Sequence, residues 1–471
     1  MNQIGNQIEN HIGELRKIVG PSHVVTDSKE LAILGCDWTK IFKVDPLCGV
    51  LPANTGEVAA IVKYCAANGL PMVPSGGRTG LAGGAVAGSK EVVISLSRMN
   101  HIEEVDTVGM TVRCEAGVIT QTLQEKASHS GMFFALDLAA KGSSQIGGNI
   151  STNAGGLKLI RYGGTREQVL GLEVVLPDGS VLDMMSSLRK NNTGYDLKHM
   201  FIGAEGTLGI ITRAVLKLMP RPRNLQLSLM GTDEFPHIPR LLTLCNREGV
   251  QITAFEFFTR EAHEVVLKHA TGARSPFADR YPYYVLLELE EGPTGGKVME
   301  PLLEKAFEAG LINDAVVAQS AAQFGEFWGL RENITESINA HGQARKNDIA
   351  LPIDKLEPFI AELAAVLTSA PSDIQLLLFG HIGDGNLHIN YVGSKEIPRE
   401  EFQRKARAVE ETVFAKIPKY RGSVSAEHGI GLLKKADLAS SRNPLEIELM
   451  KKFKMALDPK GLMNPGKIFL A

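Results

Sequence analysis

The stretch "PSGGRTGLAGGAV", residues 74–86, is so dense in glycine that its backbone N–H groups stand unobstructed. Successive bare amides form a concave nest suited to a pyrophosphate. The glycine order is not GxGxxG, and no GxxxxGK[ST] sequence occurs, so neither a Rossmann dinucleotide site nor a P-loop is supported. Taken alone, the segment is either a turn or a ligand cradle. Two further stretches shift that balance: "KGSSQIGGNISTNAGGLKLIRYGG" at 141–164 and "GAEGTLGI" at 203–210. Glycine carries an entropic cost on folding, and three such loops in one domain exceed what turning the chain requires. An extended ligand lying against exposed backbone accounts for them.

Around these loops, residues 46–220 alternate short apolar strands with turns and helices. "EVVISLS" and "MTVRCEAG" read as strands, and "LGLEVVLPDGSVLDM" reads as a hairpin turning at Pro177-Asp178-Gly179. "GEVAAIVKYCAANG" has helical apolar spacing and a glycine stop. This predicts an α+β domain over residues 1–222. "LMPRPRN" then reads as a linker. Strand runs "LQLSLMG", "YYVLLELEEG" and "IQLLLFGH", with helices near 297–309 and 399–417, fit an α/β sandwich over 223–417. The segment 418–471 contains a helix stopped by Asp458-Pro459 and a glycine-punctuated tail.

The 471 residues, 44% hydrophobic and 22% charged, suffice for a large core divided into two or three domains. Lys and Arg total 50 against 53 Asp and Glu, which gives no field for nucleic acid or an acidic membrane surface. A small-molecule partner is expected. Cys36, Cys48, Cys65, Cys114 and Cys245 are scattered, most in apolar surroundings, which favours a reducing compartment. The N-terminal twenty residues read as an amphipathic helix rather than a signal peptide, and no apolar run is long enough to span a bilayer. A cytoplasmic location is expected.

Chemistry-bearing side chains gather in three later segments. In "LFGHIGDGNLHINY", residues 378–391, His381 closes one strand and His388 shares a face of the next with Asn390. They are either hydrogen-bonded hairpin residues or a metal pair. In "GSVSAEHGIG", residues 422–431, Glu427 and His428 adjoin between small residues. His381, His388 and Glu427 have the two-histidine, one-carboxylate composition of a catalytic Zn²⁺ site, and Mn²⁺ or Fe²⁺ suits the same ligands. His428 then serves as a base. In "FWGLRENITESINAHGQARKNDIALP", residues 327–352, Arg331 and Thr335 are expected on one helix face with Lys346 beyond a turn. These form either a solvated charged helix or a carboxylate site.

"PSGGRTGLAGG", "IGGNISTNAGG", "RYG", "LGLEVVLPDG", "NNTGYDLKHMFIGAEGTLGIIT" and "DPKGLMNPGKIF" resemble the FAD-linked oxidase family, with the vanillyl-alcohol-oxidase or PCMH-type fold. The resemblance covers essentially the whole chain. It implies a two-lobed FAD-binding domain, an α/β substrate domain and a C-terminal helical closure. Flavin contacts are implied at Ser75, Gly76, Gly77, Thr79, Gly80, Gly147, Gly148, Asn149, Asn153, Gly155, Gly156, Tyr162, Gly163, Glu205, Gly206, Ile210 and Asn464. Arg78 departs from the family's smaller polar residue. Some relatives attach FAD through histidine or cysteine, and residues 66–100 contain neither, so noncovalent FAD is expected.

"WxxRExxTE", "GHIGDGNLHIN" and "SAEHGIG" most resemble the branch that oxidises D-2-hydroxyglutarate. That resemblance implies substrate binding by Arg331, Thr335, Lys346 and Asn390, a metal on His381, His388 and Glu427, and His428 as the base that contacts substrate. Asn347 and Ala350 depart from the expected Tyr and Ser, leaving D-lactate and glycolate as competing substrates. An electron-relay subunit of a larger complex is the rival outside substrate oxidation. Electron-transfer flavoprotein or a quinone is the implied acceptor, and a homodimer the implied assembly.

Overall fold

Asn54 opens the helix Thr55–Asn68 by accepting the Glu57 N–H at 2.9 Å, and Gly69, left-handed at φ 67°, ends it. Between these caps Val58, Ile61, Val62 and Cys65 are buried, the single apolar stripe that helical spacing predicts. The computed structural model describes residues 2–291, 298–368 and 370–470. Met1, Gly292 and Lys297, at the edges of expected elements, lie outside the described residues. The chain divides into two compact units, the first comprising residues 1–156, 163–221 and 427–471, the second residues 157–162 and 222–426. The C-terminal stretch expected to begin at 418 thus changes unit at Glu427.

Two four-stranded sheets build the first unit among the described residues. One has the order Val24–Val25, Cys48–Val50, Val92–Ser95, Met72–Ser75, and its last three strands are parallel. Strand Met72–Ser75 delivers the first glycine loop at its carboxyl end. Its other edge receives the C-terminal tail: the Met72 N–H donates to Leu462 O at 2.8 Å, and the Asn464 N–H donates to Met72 O at 2.7 Å. The second sheet is antiparallel, ordered Thr111–Glu115, Ile210–Lys217, Val169–Val175, Val181–Met184. Its last two strands form the expected hairpin through Gly179.

The second glycine-rich stretch is not wholly a loop, because Ile146–Thr152 is helical. Gly147 in it serves close packing, as Gly77 of the first stretch does. A Cβ on Gly147 would lie 2.6 Å from Ala116 Cβ, and one on Gly77 would lie 2.1 Å from Ser143 O.

The second unit holds an antiparallel sheet, seven strands among the described residues, ordered Asp314–Val317, Leu225–Thr232, Tyr283–Glu290, Gln251–Thr259, Ile374–Gly380, Asn386–Gly393, Gln343–Ala350. Ala254, Phe258, Leu377 and Phe379 point to one face and pack with Phe327, Trp328, Leu330 and Ile334. A short 3₁₀ turn, Ile382–Asp384, links the two strands around the histidines and closes at Gly385, φ 83°. A Cβ there would lie 2.0 Å from Leu351 O.

Arg331 and Thr335 do not share one helix. The helix Ala321–Glu332 ends at Asn333, and Ile334–His341 begins anew. Asn333 Nδ2 donates to the Gly329 carbonyl at 2.8 Å, a local bond that competes with helix continuation. Arg331 is buried and Thr335 exposed. No helix of the described residues is long and apolar enough to cross a membrane.

Candidate active site

In the first unit, the three glycine-rich stretches line one cleft, open at its mouth to solvent. Ser75, Gly76, Gly77, Thr79, Gly80, Gly147, Gly148, Asn149, Glu205, Gly206 and Ile210 line it, as does His428. Asn153, Gly155, Gly156, Gly163 and Asn464 belong to the same unit without lining the cleft, and Tyr162 belongs to the second unit. Arg78 turns its guanidinium back, Nη1 donating to Gly76 O at 3.2 Å.

The cleft fits an extended polar ligand. Ser75 Oγ and Gln145 Oε1 line it and, among the described residues, have no hydrogen-bond partner. Buried polar atoms left unpaired are costly, so a bound partner is the natural explanation. Gly80 and Gly148 have open space where a side chain would stand. A flavin with its pyrophosphate supplies donors, acceptors and length of the kind these features require.

Glu427 opens the third segment of this unit. Its carboxylate lies close against Gly155, where an added Cβ would approach Glu427 Oε1 to 2.9 Å.

In the second unit, strand register assembles a polar strip on the helix-covered face of the sheet. Lys346 pairs with Asn390, and Asp348 pairs with His388. His388 is buried and stacks on Phe379, ring centroids 4.7 Å apart. His381 meets His388 edge to face at 5.3 Å. Asn390 is buried and donates through Nδ2 to Leu377 O at 3.2 Å. The main chain then leaves this unit beside the same strip: Ser425 bridges Asp348, and the Ala426 N–H donates to Asp348 O at 3.2 Å. Glu427 is the next residue.

Glu256 organises the strip and was not found by sequence reasoning. Only 1% exposed, it accepts His381 Nδ1–H at 2.8 Å through Oε1 and Arg331 Nε–H at 2.9 Å through Oε2. Arg331 Nη2 lies 2.8 Å from that second oxygen, and the guanidinium covers the Phe379 ring at 4.6 Å. Burial pushes the Glu256 carboxyl up, but the His381 and Arg331 charges and their hydrogen bonds outweigh it and hold the group below the ordinary carboxylate range. Donation from Nδ1 to Glu256 leaves Nε2 as the ring position for a metal, which would take the place of the proton there. The donor chemistry of the two histidines therefore fits a divalent metal.

A second buried carboxylate, Glu288, lies further along the same face. It accepts Lys158 Nζ at 2.5 Å, Thr253 Oγ1 at 2.5 Å and Trp328 Nε1 at 3.0 Å. Both carboxylates interrupt otherwise apolar strands, "ITAFEFFT" and "YYVLLELE". That interruption was the available signal, because a buried charge persists only when paired.

A cleft of glycine-cradled amides beside an α+β frame defines a flavin-binding oxidoreductase. The chain matches the FAD binding domain model over residues 46–185 and the model of the FAD linked oxidases, C-terminal domain, over residues 221–468. It belongs to the FAD-linked oxidase family. D-2-hydroxyglutarate dehydrogenase of Stutzerimonas stutzeri (strain A1501) is 44% identical over 462 residues, covering 98% of this chain and 99% of that protein. Mitochondrial D-2-hydroxyglutarate dehydrogenase of Arabidopsis thaliana is 39% identical over 461 residues, covering 97% and 81%. The solved structure of p-cresol methylhydroxylase with substrate bound shares the fold, with a TM-score of 0.78 at 15% identity over 98% of this chain and 97% of that one. The chain is an FAD-dependent oxidoreductase of the 2-hydroxyacid dehydrogenase type.

Proposed function

We propose that this protein oxidises D-2-hydroxyglutarate to 2-oxoglutarate, with noncovalent FAD and a divalent metal, Zn²⁺ before Mn²⁺ or Fe²⁺. The observation that carries the reading is the Glu256 bridge, which ties a histidine of ligand type to a buried arginine through one carboxylate. The names of the well-covered relatives supply the substrate.

Arg331 grips a substrate carboxylate with the part of its guanidinium that Glu256 leaves unengaged, since Glu256 meets only Nε and Nη2. Lys346, Thr335 and Asn390 complete the carboxylate site. His428 takes the proton of the C2 hydroxyl. His381, His388 and Glu427 would hold a metal, which would supply Lewis acidity. FAD held along the cleft lined by Ser75, Gly77, Gly148 and Gly206 would supply the hydride acceptor for C2, with an electron-transfer flavoprotein or a quinone as the onward acceptor. The flavin contacts outside the cleft lining, Asn153, Gly155, Gly156, Tyr162, Gly163 and Asn464, are part of this reading. So are a homodimer and a cytoplasmic location. Burial pushes the Cys48, Cys65, Cys114 and Cys245 thiols up to about 12, the state of inert reduced cysteines. The plant relative is named mitochondrial.

Anaerobic flavin bleaching tests the reading. D-2-hydroxyglutarate is expected to bleach the flavin faster than D-malate, D-lactate or glycolate, the L-enantiomers not at all, and a chelator to abolish the reaction. Bleaching by none of these acids, with flavin and metal both bound, would sink it in favour of an electron-relay subunit.

The carboxylate site also carries a pH dependence. Burial pushes the Lys346 ammonium down to about 8. Its charge attracts the substrate below that value and is lost above it, so KM rises as pH passes about 8. Lys346→Arg, which stays charged, flattens that rise. A KM that ignores pH in this range in the wild type removes Lys346 from the carboxylate site.

A further inference from the structure

Glu205 stands in the third glycine loop, 8% exposed, with its backbone left-handed at φ 51°. Residues with a side chain rarely adopt that conformation, so strong local bonds must hold it. Its N–H donates to Ser151 O at 2.7 Å, and its carbonyl accepts Asn464 Nδ2–H at 2.7 Å.

The carboxylate does something other than touch a flavin phosphate, for which its charge has the wrong sign. Oε1 accepts the Ile430 N–H and Oε2 the Gly431 N–H, each at 2.8 Å. Consecutive amides just past His428 are thus gripped by one side chain. Ala82 of the first glycine loop holds the following two, its carbonyl accepting the Leu432 N–H at 2.7 Å and the Leu433 N–H at 3.1 Å. Two glycines permit this approach. Gly429 is at φ 80°, where a Cβ would lie 2.9 Å from Glu205 Oε1, and Gly431 is at φ 49°, where a Cβ would lie 2.1 Å from Ala82 O. Burial pushes the Glu205 carboxyl up, opposed in part by the Ile430 and Gly431 amides and by the buried Lys434 and Lys467, Lys467 Nζ itself donating to Val86 O at 2.6 Å.

We infer that Glu205 is a positioning residue: its carboxylate clamps the Ile430 and Gly431 amides and so aims His428 into the flavin cleft. This rests on the reading of His428 as the base. The role also gives the Ile430 and Gly431 amides a reason to demand two acceptor oxygens. Glutamine offers one oxygen and one NH₂, so Glu205→Gln sets a donor against a buried donor with almost no change in shape.

The test uses the purified Glu205→Gln holoenzyme. Hydrogen exchange of the Ile430 and Gly431 amides should accelerate. With D-2-hydroxyglutarate, kcat should fall about 10–100-fold, the scale of one buried unpaired donor, while KM and flavin content hold. Adding Glu205→Gln to His428→Asn should cost nothing further, since both act through one group. Glu205→Asp, which keeps both oxygens, should recover part of kcat and serves as the variant if Glu205→Gln does not fold. Unchanged exchange at the two amides overturns the clamp, whatever His428 does. Faster exchange with additive losses in the double variant overturns the coupling to His428. Faster exchange with a His428→Asn variant of wild-type kcat instead leaves the clamp standing and removes the base.

Discussion

Replacing His428 by asparagine lowers kcat on D-2-hydroxyglutarate by about 10²–10⁴-fold, the usual contribution of a positioned general base. Flavin content stays at the wild-type level. His428 lines the cleft but belongs to a loop held by other groups: Glu205 at Ile430 and Gly431, and Ala82 at Leu432 and Leu433. Asparagine keeps hydrogen-bonding capacity and comparable bulk, so the loss isolates proton acceptance from packing. Oxidation at C2 releases a hydride and a hydroxyl proton, and without an acceptor the proton must go to water. Steady-state kinetics beside the flavin spectrum decide the point. A His428→Asn enzyme with wild-type kcat would show that another group takes the proton.

Glu256→Gln acts on stability and on metal together. The side chain is 1% exposed and faces the buried Arg331 and His381. Removing one partner of such a buried pair costs about 3–5 kcal/mol, because the remaining charge stays out of water with no counter-charge. Loss of the carboxylate behind His381 also weakens metal binding about 10–100-fold. The sign with pH follows from the lowered carboxyl. The stability that Glu256 contributes is present above its unfolded pKa, about 4.3, and is lost as pH falls through the lower folded value. The gap in unfolding free energy between wild type and variant is therefore wide at neutral pH and narrows in acid. Denaturant titrations across that range, with metal content measured in parallel, check both effects. Equal stability at neutral pH would mean the bridge contributes nothing net.

The flavin frame was legible because its physics is written in glycine. Bare amides and close backbone approach leave no other residue acceptable at Gly77 or Gly147, whatever the surrounding elements do. Helix Thr55–Asn68 was legible for a related reason, its cap, stripe and stop all agreeing. Other features depended on partners that spacing does not reveal. The break at Asn333 comes from one side-chain bond to Gly329. The helix at Ile146–Thr152 was hidden by the same glycines that let it pack. Glu256 could have been suspected as a lone charge in an apolar strand, but not its partners, because Arg331 and His381 are remote in sequence. The change of unit at Glu427 rather than 418 follows contacts of the tail, not composition.

The tail has a consequence for biosynthesis. The Met72 edge waits for Leu462 and Asn464, and Asn464 reaches Gly84 across 380 residues of chain. Such closures are slow, since a long loop must be ordered before the contact forms. Residues 222–426, nearly the whole of the second unit, emerge from the ribosome before that closure is available. The N-terminal segment must therefore wait as a half-built intermediate whose strand edge is open to chaperones, proteases and its own copies.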